Sequence, residues 1–433
     1  MTSLQQRRKA RMPSNRRSIL AALLIAPLAA ALLGCGSSFS SAAPHTAETF
    51  APGHLVVVYK NNIVPAASAA IAAQAGARSS TDLPLFGISA IQVPGDEDAA
   101  IAALLANPNV AAVLHDRLVS AHILALQPAP PTNLPGLGKV PIRLPLAPPQ
   151  PAAPLSDTLY NSPQGWAVLD AGGFGDNIPG GPALGPWNTS RGAGIRIAVL
   201  DSGIDRNHPD IAPNLALNLS EVDTTALPSP CDDGTPQDQQ GHGTFTASLA
   251  AAAIGGGNLI GVAPQATLLN IKVLERIPAS TGTTLTAQCE AGQASGLLSW
   301  VLLGLQDAVA HHANIVSLSL GTLVDTATGD GAGWQTQFNA ATYTAAQSGT
   351  VIVAALGNDA LDLSETTLIE LPAQSRSVLP VVASTNPACA EDLSANATCL
   401  PGPITRASYS NHGITGAIAA PGGSYPQGST TTG

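Results

Sequence analysis

From Ile195 onward the chain alternates short β-branched or apolar runs with helix-prone stretches. The runs are Ile195–Leu200, Thr267–Val273, Ile315–Leu320, Val351–Ala355 and Val378–Ala383; Gly243–Ala253, Ser295–His311 and Thr336–Ser348 are helix-prone. Continuous apolar strands separated by helices need cover on both faces. The order therefore predicts an α/β fold, a mainly parallel sheet with helices on both faces. The 433 residues are 45% hydrophobic, 11% charged and 3% aromatic, which excludes a wholly disordered chain and a coiled coil. The core must then be built mostly from Ala, Val and Leu.

A different pattern precedes this region. His54–Lys60 reads as a strand, Ala66–Ala75 as a helix, Leu85–Val93 as a strand, Asp96–Ala106 as a helix opened by acids, and Asn109–His115 as a strand. Residues 54–120 are thus expected to form a small α+β, ferredoxin-like unit. Ten prolines fall in the 27 residues 128–154, so 121–155 reads as a semi-rigid linker. Residues 156–433 form the second globular region, and no internal repeat is visible.

The N-terminus reads as an export signal over residues 1–35. Six basic side chains and no acid lie in residues 1–34, followed by the apolar stretch Ile19–Leu33, which is short for a membrane span. Leu32-Leu33-Gly34-Cys35 resembles a bacterial lipobox, making Cys35 a lipidation candidate; the alternative is an ordinary secretory signal with a chance cysteine. Arg16-Arg17-Ser18-Ile19-Leu20 also resembles a twin-arginine signal, so the export route stays open. Residues 36–53 read as a tether. The expected location is exported, either lipid-anchored in the cell envelope or secreted. Without residues 1–34 the chain carries 12 basic against 28 acidic side chains, which argues against nucleic-acid binding.

Four cysteines remain: Cys231, Cys289, Cys389 and Cys399. An even number in an exported chain suggests disulfides, with three connectivities open. Cys389 with Cys399 and Cys231 with Cys289 are the first pairing to consider; four reduced thiols are the alternative.

Three short motifs carry chemistry. Ile197-Ala-Val-Leu-Asp201-Ser202-Gly203 is a strand ending in an acid and a glycine turn. Gly241-His242-Gly243-Thr244 opens a helix-prone stretch. Val351-Ile-Val-Ala-Ala-Leu-Gly357-Asn358 is a strand ending in Gly-Asn. Singly, each fits a cap, a core histidine or a turn. Together, each at a strand end or helix start, they point to a site, because open α/β sheets gather function at the carboxyl ends of their strands.

In this order the motifs resemble those of the subtilisin-like serine peptidases, and the resemblance covers about 54–433. It implies Asp201 as the acid, His242 as the base and Asn358 as the oxyanion donor of an Asp-His-Ser triad. It implies Ser319, Leu320 and Gly321 as the strand that binds substrate backbone, and 54–120 as an inhibitory, fold-assisting prodomain. Supporting matches are His208-Pro209-Asp210, Gly261-Val262-Ala263-Pro264, Lys272-Val273-Leu274 and Ala420-Pro421-Gly422. Thr322 and Leu356 depart from the common pattern near the expected pockets, and Phe245 follows Thr244 where the family often has His, which changes the neighbouring electrostatics.

The family's Gly-Thr-Ser nucleophile motif is absent from all 433 residues, and Ser429 reads as a loop residue. The expectation is a catalytic region, 156–433, whose C-terminal part is missing, belonging to an exported serine endopeptidase precursor and inactive as it stands. The alternative is a non-catalytic pseudo-peptidase that binds peptides at the cell envelope. A metallohydrolase using Asp201 and His242 lacks a third ligand cluster, and His311-His312 has no carboxylate at metal-ligand spacing. The triad chemistry requires no cofactor. Structural calcium is common in the resembled family, but the sequence assigns it no ligands, and Asp232, Asp233 and Asp238 read as a solvated acidic loop. The expected partners are a peptide or protein substrate and the chain's own prodomain. A membrane enters only through a lipid anchor.

Overall fold

A computed structural model describes residues 49–122, 187, 190–385 and 405–423. Cys35, Cys389, Cys399, Ser429, the export signal and the proline-rich segment from 123 onward lie outside the described residues.

The N-terminal region runs β1 (Phe50–Tyr59), α1 (Ser68–Gln74), β2 (Ser79–Leu83), β3 (Ile88–Gln92), α2 (Glu97–Leu105) and β4 (Val110–Ala121). Its strands lie in the order β4-β1-β3-β2, all antiparallel. Strand β1 starts inside the stretch read as a tether. Strand β2 was not expected, because Ser-Ser-Thr-Asp-Leu is exposed along four of its five residues and shows no apolar alternation. Alternation along β1 explains the packing. Leu55, Val57 and Tyr59 pack with Ile71, Ala72 and Leu104 of the two helices. Val56 points the other way, into the large core shared with the rest of the molecule. Asp96 caps α2, accepting a hydrogen bond from Ala99 N at 3.1 Å.

The second region continues with β5 (Arg196–Asp201), β6 (Leu215–Ser220), α3 (His242–Ala251), β7 (Thr267–Lys272), β8 (Glu275–Ile277), α4 (Leu285–Glu290), β9 (Gln293–Leu297) and α5 (Leu298–Ala310). It then runs β10 (Ile315–Leu318), β11 (Leu320–Asp325), α6 (Gly329–Gln347), β12 (Val351–Ala355), β13 (Leu368–Leu371), β14 (Val378–Thr385), β15 (Thr405–Arg406) and β16 (Ile418–Pro421). The central sheet has the order β15-β14-β12-β10-β5-β7-β6, with β16 also on β14; only the β14–β15 pair is antiparallel. The sheet is mostly parallel, with helices on both faces. Ile197 and Val199 of β5 pack with Ala247 and Ala251 of α3. Ala198 and Leu200 face the opposite core with Trp300, Leu305, Trp334 and Phe338 of α5 and α6. Two expected helices shift: Ser295–Leu297 belongs to β9, and α6 starts at Gly329, ahead of Thr336.

Strand β4 joins the two regions. It pairs with β1, and also antiparallel with β9 (Leu118↔Leu297, Val119↔Gly296, Ser120↔Ser295) and β11 (Leu320↔Ala121, Gly321↔Ser120). The last residues of the N-terminal unit are thus a strand of the second region's antiparallel sheet. Around this seam, Trp334 Nε1 donates to His115 O at 2.9 Å, and His115 Nδ1 lies 2.6 Å from Asp330 Oδ2.

Candidate active site

Chain order places the switch point of the central sheet at β5. The chain lays β7 and β6 on one side of β5, and then β10, β12 and β14 on the other. Asp201 is the last residue of β5, at the crevice this reversal creates. Asn358 follows β12, two strand positions away, or roughly 10 Å at ordinary strand spacing.

Helix α3 brings His242 to Asp201. His242 Nδ1 lies 2.7 Å from Asp201 Oδ1; their side chains are 11% and 1% exposed. Ser202 N also donates to Asp201 Oδ1, at 2.7 Å, and Thr246 Oγ1 donates to Oδ2 at 3.2 Å. The carboxylate is thereby fixed, and it fixes the ring with Nε2 as the nitrogen left for proton transfer. Burial alone would depress the imidazole pKa; the charge and hydrogen bond of Asp201, with Asp238 beyond, outweigh it and hold it above its ordinary value.

Asp238 was assigned to a solvated loop, but it organises the helix start. Its carboxylate accepts from Gly241 N (2.8 Å), Thr244 N (2.9 Å), Thr244 Oγ1 (2.6 Å) and Ser202 Oγ (3.0 Å). The Gly241 and Thr244 amides are otherwise unpaired donors at the helix start, and the Ser202 hydroxyl ties the same carboxylate to the end of β5. Asp232 is not solvated either. Its side chain is 1% exposed and receives Lys272 Nζ at 2.8 and 2.9 Å, with the lysine fully buried. Burial, and after it the charge of Asp232, raises the pKa of neighbouring Glu275 to about 8. Cys231, directly before Asp232, is bonded to Cys289 of α4. Among the described residues no group of three or more His, Cys, Asp or Glu could hold a metal ion.

Asn358 sits on a turn that a buried side chain builds. Asn411, fully buried, accepts from Asp359 N (3.0 Å) and Leu361 N (2.9 Å) and donates to Leu356 O (3.0 Å). Gly357 has φ +103°, and a Cβ there would lie 2.4 Å from Asn411 Nδ2. Neither Asn411 nor Asp238 stood out in the sequence, because single polar residues in loops carry no period or motif.

The cleft is filled by the chain itself. His122 N donates to Ser319 O at 3.0 Å, directly after the pairing of Ala121 and Ser120 with Leu320 and Gly321. Asn358 Nδ2 donates to His122 O at 2.9 Å. Ser319, Leu320 and Gly321 therefore hold an extended peptide whose last described carbonyl faces the Asn358 amide. Leu356 is fully buried, Thr322 pairs with Leu371, and Phe245 is 60% exposed on α3.

A strand-end acid is thus paired with a helix-start histidine on a mostly parallel sheet, with an extended strand of the chain lying in the cleft beside them. The Peptidase S8 (subtilase) family profile matches residues 192–433, and the fervidolysin N-terminal prodomain profile matches residues 39–114. The chain belongs to the subtilase family of serine peptidases and carries a fervidolysin-like prodomain. It is 35% identical to an intracellular serine protease of Paenibacillus polymyxa over 31% of this chain and 35% of that protein. It is 32% identical to thermitase of Thermoactinomyces vulgaris over 40% of this chain and 50% of thermitase. The matches thus span between a third and half of these relatives' lengths. In fold it is similar to fervidolysin from Fervidobacterium pennivorans, with a TM-score of 0.54 and 20% identity over 87% of this chain and 47% of that one. The epidermin leader peptide processing protease of Staphylococcus aureus gives a TM-score of 0.54 and 18% identity over 86% and 75% of the two chains.

Proposed function

We propose that this chain belongs to the precursor of an exported serine endopeptidase that cleaves peptide bonds with an Asp-His-Ser triad. The observation that carries the reading is the peptide in the cleft: its His122 carbonyl accepts from Asn358 at 2.9 Å. An amide at that place stabilises the oxyanion of a tetrahedral intermediate, an effect worth about 3–4 kcal/mol of barrier. His242 takes the proton of the attacking serine and returns it to the leaving amine, and Asp201 holds the tautomer and stabilises the imidazolium. The prodomain inhibits by occupying the substrate strand's place between β9 and β11. Cys35 is the proposed site of lipidation, and the mature protein acts in the cell envelope or outside the cell.

The serine this reading requires is not present in a Gly-Thr-Ser motif among residues 1–433. The test is to express the whole reading frame that contains these residues and treat it with a serine-directed fluorophosphonate, with casein as substrate. Labelling and cleavage are expected, with both lost in His242→Ala. Asp201→Asn should fold and lower turnover about 10⁴-fold, as a wrong tautomer does. A folded protein that neither labels nor cleaves would replace the reading with the second one, a peptide-binding protein. Fatty-acid labelling that persists in Cys35→Ala would remove the lipid anchor.

A further inference from the structure

The backbone of His122 is held at both ends, by Ser319 O and by Asn358 Nδ2. That fixes where its side chain must go, which on the peptidase reading is the place of the residue on the acyl side of a scissile bond. At the floor of that pocket stands an acid. His122 Nε2 lies 3.3 Å from Glu370 Oε1, and the two side chains are 12% and 1% exposed. Glu370 is set there by sheet register: β13 pairs with β11 antiparallel, with Glu370 opposite Leu323. The wall between the two groups is Gly321. A Cβ at that position would fall 2.1 Å from Glu370 Oε1 and 2.7 Å from His122 Nε2, so only glycine leaves the acid open to the bound side chain.

We propose that Glu370 is the specificity-determining residue of this cleft and selects cationic side chains, lysine, arginine or imidazolium, on the acyl side of the cleaved bond. The chain's own His122 occupies that place, with its ring nitrogen beside the carboxylate. The inference rests on the peptidase reading and names its substrate class. A carboxylate held out of water gains from a countercharge, whereas an aliphatic side chain adds none and an acidic one repels. The corresponding self-processing step breaks the His122–Ile123 bond. The serine oxygen adds to the His122 carbonyl carbon, and the Ile123 nitrogen leaves with the proton held by His242. Water then hydrolyses the ester, so that one peptide bond and one water give a carboxylate and an ammonium.

The test uses the complete peptidase and peptides sharing Val-Ser-Ala before a variable residue (Lys, Arg, His, Leu or Glu) followed by a leaving group. Lys or Arg should exceed Leu in kcat/KM by at least about 10-fold, and Glu370→Gln should collapse that ratio toward one. Should Glu370→Gln not fold, self-processing gives an independent readout. His122→Arg should still yield an N-terminus at Ile123, and His122→Glu should not. A preference for Leu, a ratio unmoved by Glu370→Gln, or equal processing of the two His122 variants would overturn the proposal while leaving the peptidase intact. Failure to cleave any of the peptides, without fluorophosphonate labelling, would remove the peptidase reading and this cleavage preference with it.

Discussion

Gly243 and Gly203 are in backbone contact: a Cβ built on Gly243 would lie 2.1 Å from the Gly203 carbonyl oxygen and 3.1 Å from Asp201 Cβ. This is why the base is preceded and followed by glycine. Gly241 adopts φ +106° to start the helix, and Gly243 lets that helix descend onto the end of β5.

Gly243→Ala should therefore push α3 off the strand. We expect a loss of about 1–3 kcal/mol in folding stability, the usual result of overpacking, measured as a lower urea midpoint. Turnover in the complete peptidase should fall further than stability does, since His242 leaves Asp201 before the fold fails. Wild-type turnover in a folded Gly243→Ala protein would show that this contact does not position the base.

Asn411→Ala should disable the Asn358 turn without touching the peptide. It leaves the part-buried Asp359 and Leu361 amides without their acceptor, at about 1 kcal/mol for each. A displacement of Asn358 near 1 Å is enough to lower turnover about 10²-fold. The check is kcat and KM measured separately; a change confined to KM would count against this account.

Asp116 gives the molecule a pH dependence with a definite sign. Its carboxyl is buried against the start of α5, accepting from Ser299 N at 3.2 Å, and burial lifts its pKa from 3.8 to about 7. The folded chain keeps this proton where the unfolded chain has lost it. The stability it contributes is complete below the unfolded value and declines as pH rises, until the folded group ionises at about 7. One such proton gives a slope of at most about 1.4 kcal/mol per pH unit. Asp116→Asn should remove that slope, seen as a smaller fall in Tm between pH 5 and pH 7. An unchanged fall would mean that other groups set the dependence.

Cys231→Ser opens a loop of 58 residues. Chain-entropy arguments put the loss at about 4 kcal/mol at most. The loop holds Asp232 and Asp238, so reduction should also loosen the start of α3, read as faster amide exchange at Gly241 and Thr244. Exchange there that is indifferent to reduction would confine the disulfide's role to the loop.

The sheet and the motifs at its edge were legible because β5, β7, β10, β12 and β14 are mostly continuous apolar runs, and because Asp201, His242 and Asn358 sit at element ends. The polar framework was not. Asp232 and Asp233 look alike in sequence, yet Asp232 is paired with a buried lysine while Asp233, on the exposed side, holds its own turn through Thr235. Nothing local separates them; Lys272 lies 40 residues away. Glu370 escaped for the same reason, since Leu-Ile-Glu-Leu reads as an ordinary short strand until β11 and His122 are laid beside it. Strand β2 was missed because its partners, not its side chains, make it a strand.

Strand β4 belongs to two regions at once, and its departure would leave β9 and β11 as two facing edges with unmade ladder bonds. Main-chain hydrogen bonds of that kind are blind to side chains, so any extended segment in register can slip in between them. The molecule would then be adhesive before it is selective. The choice among segments falls to the few side-chain pockets along the slot, and until a strand arrives, the slot is open to a neighbouring copy as well as to a meal.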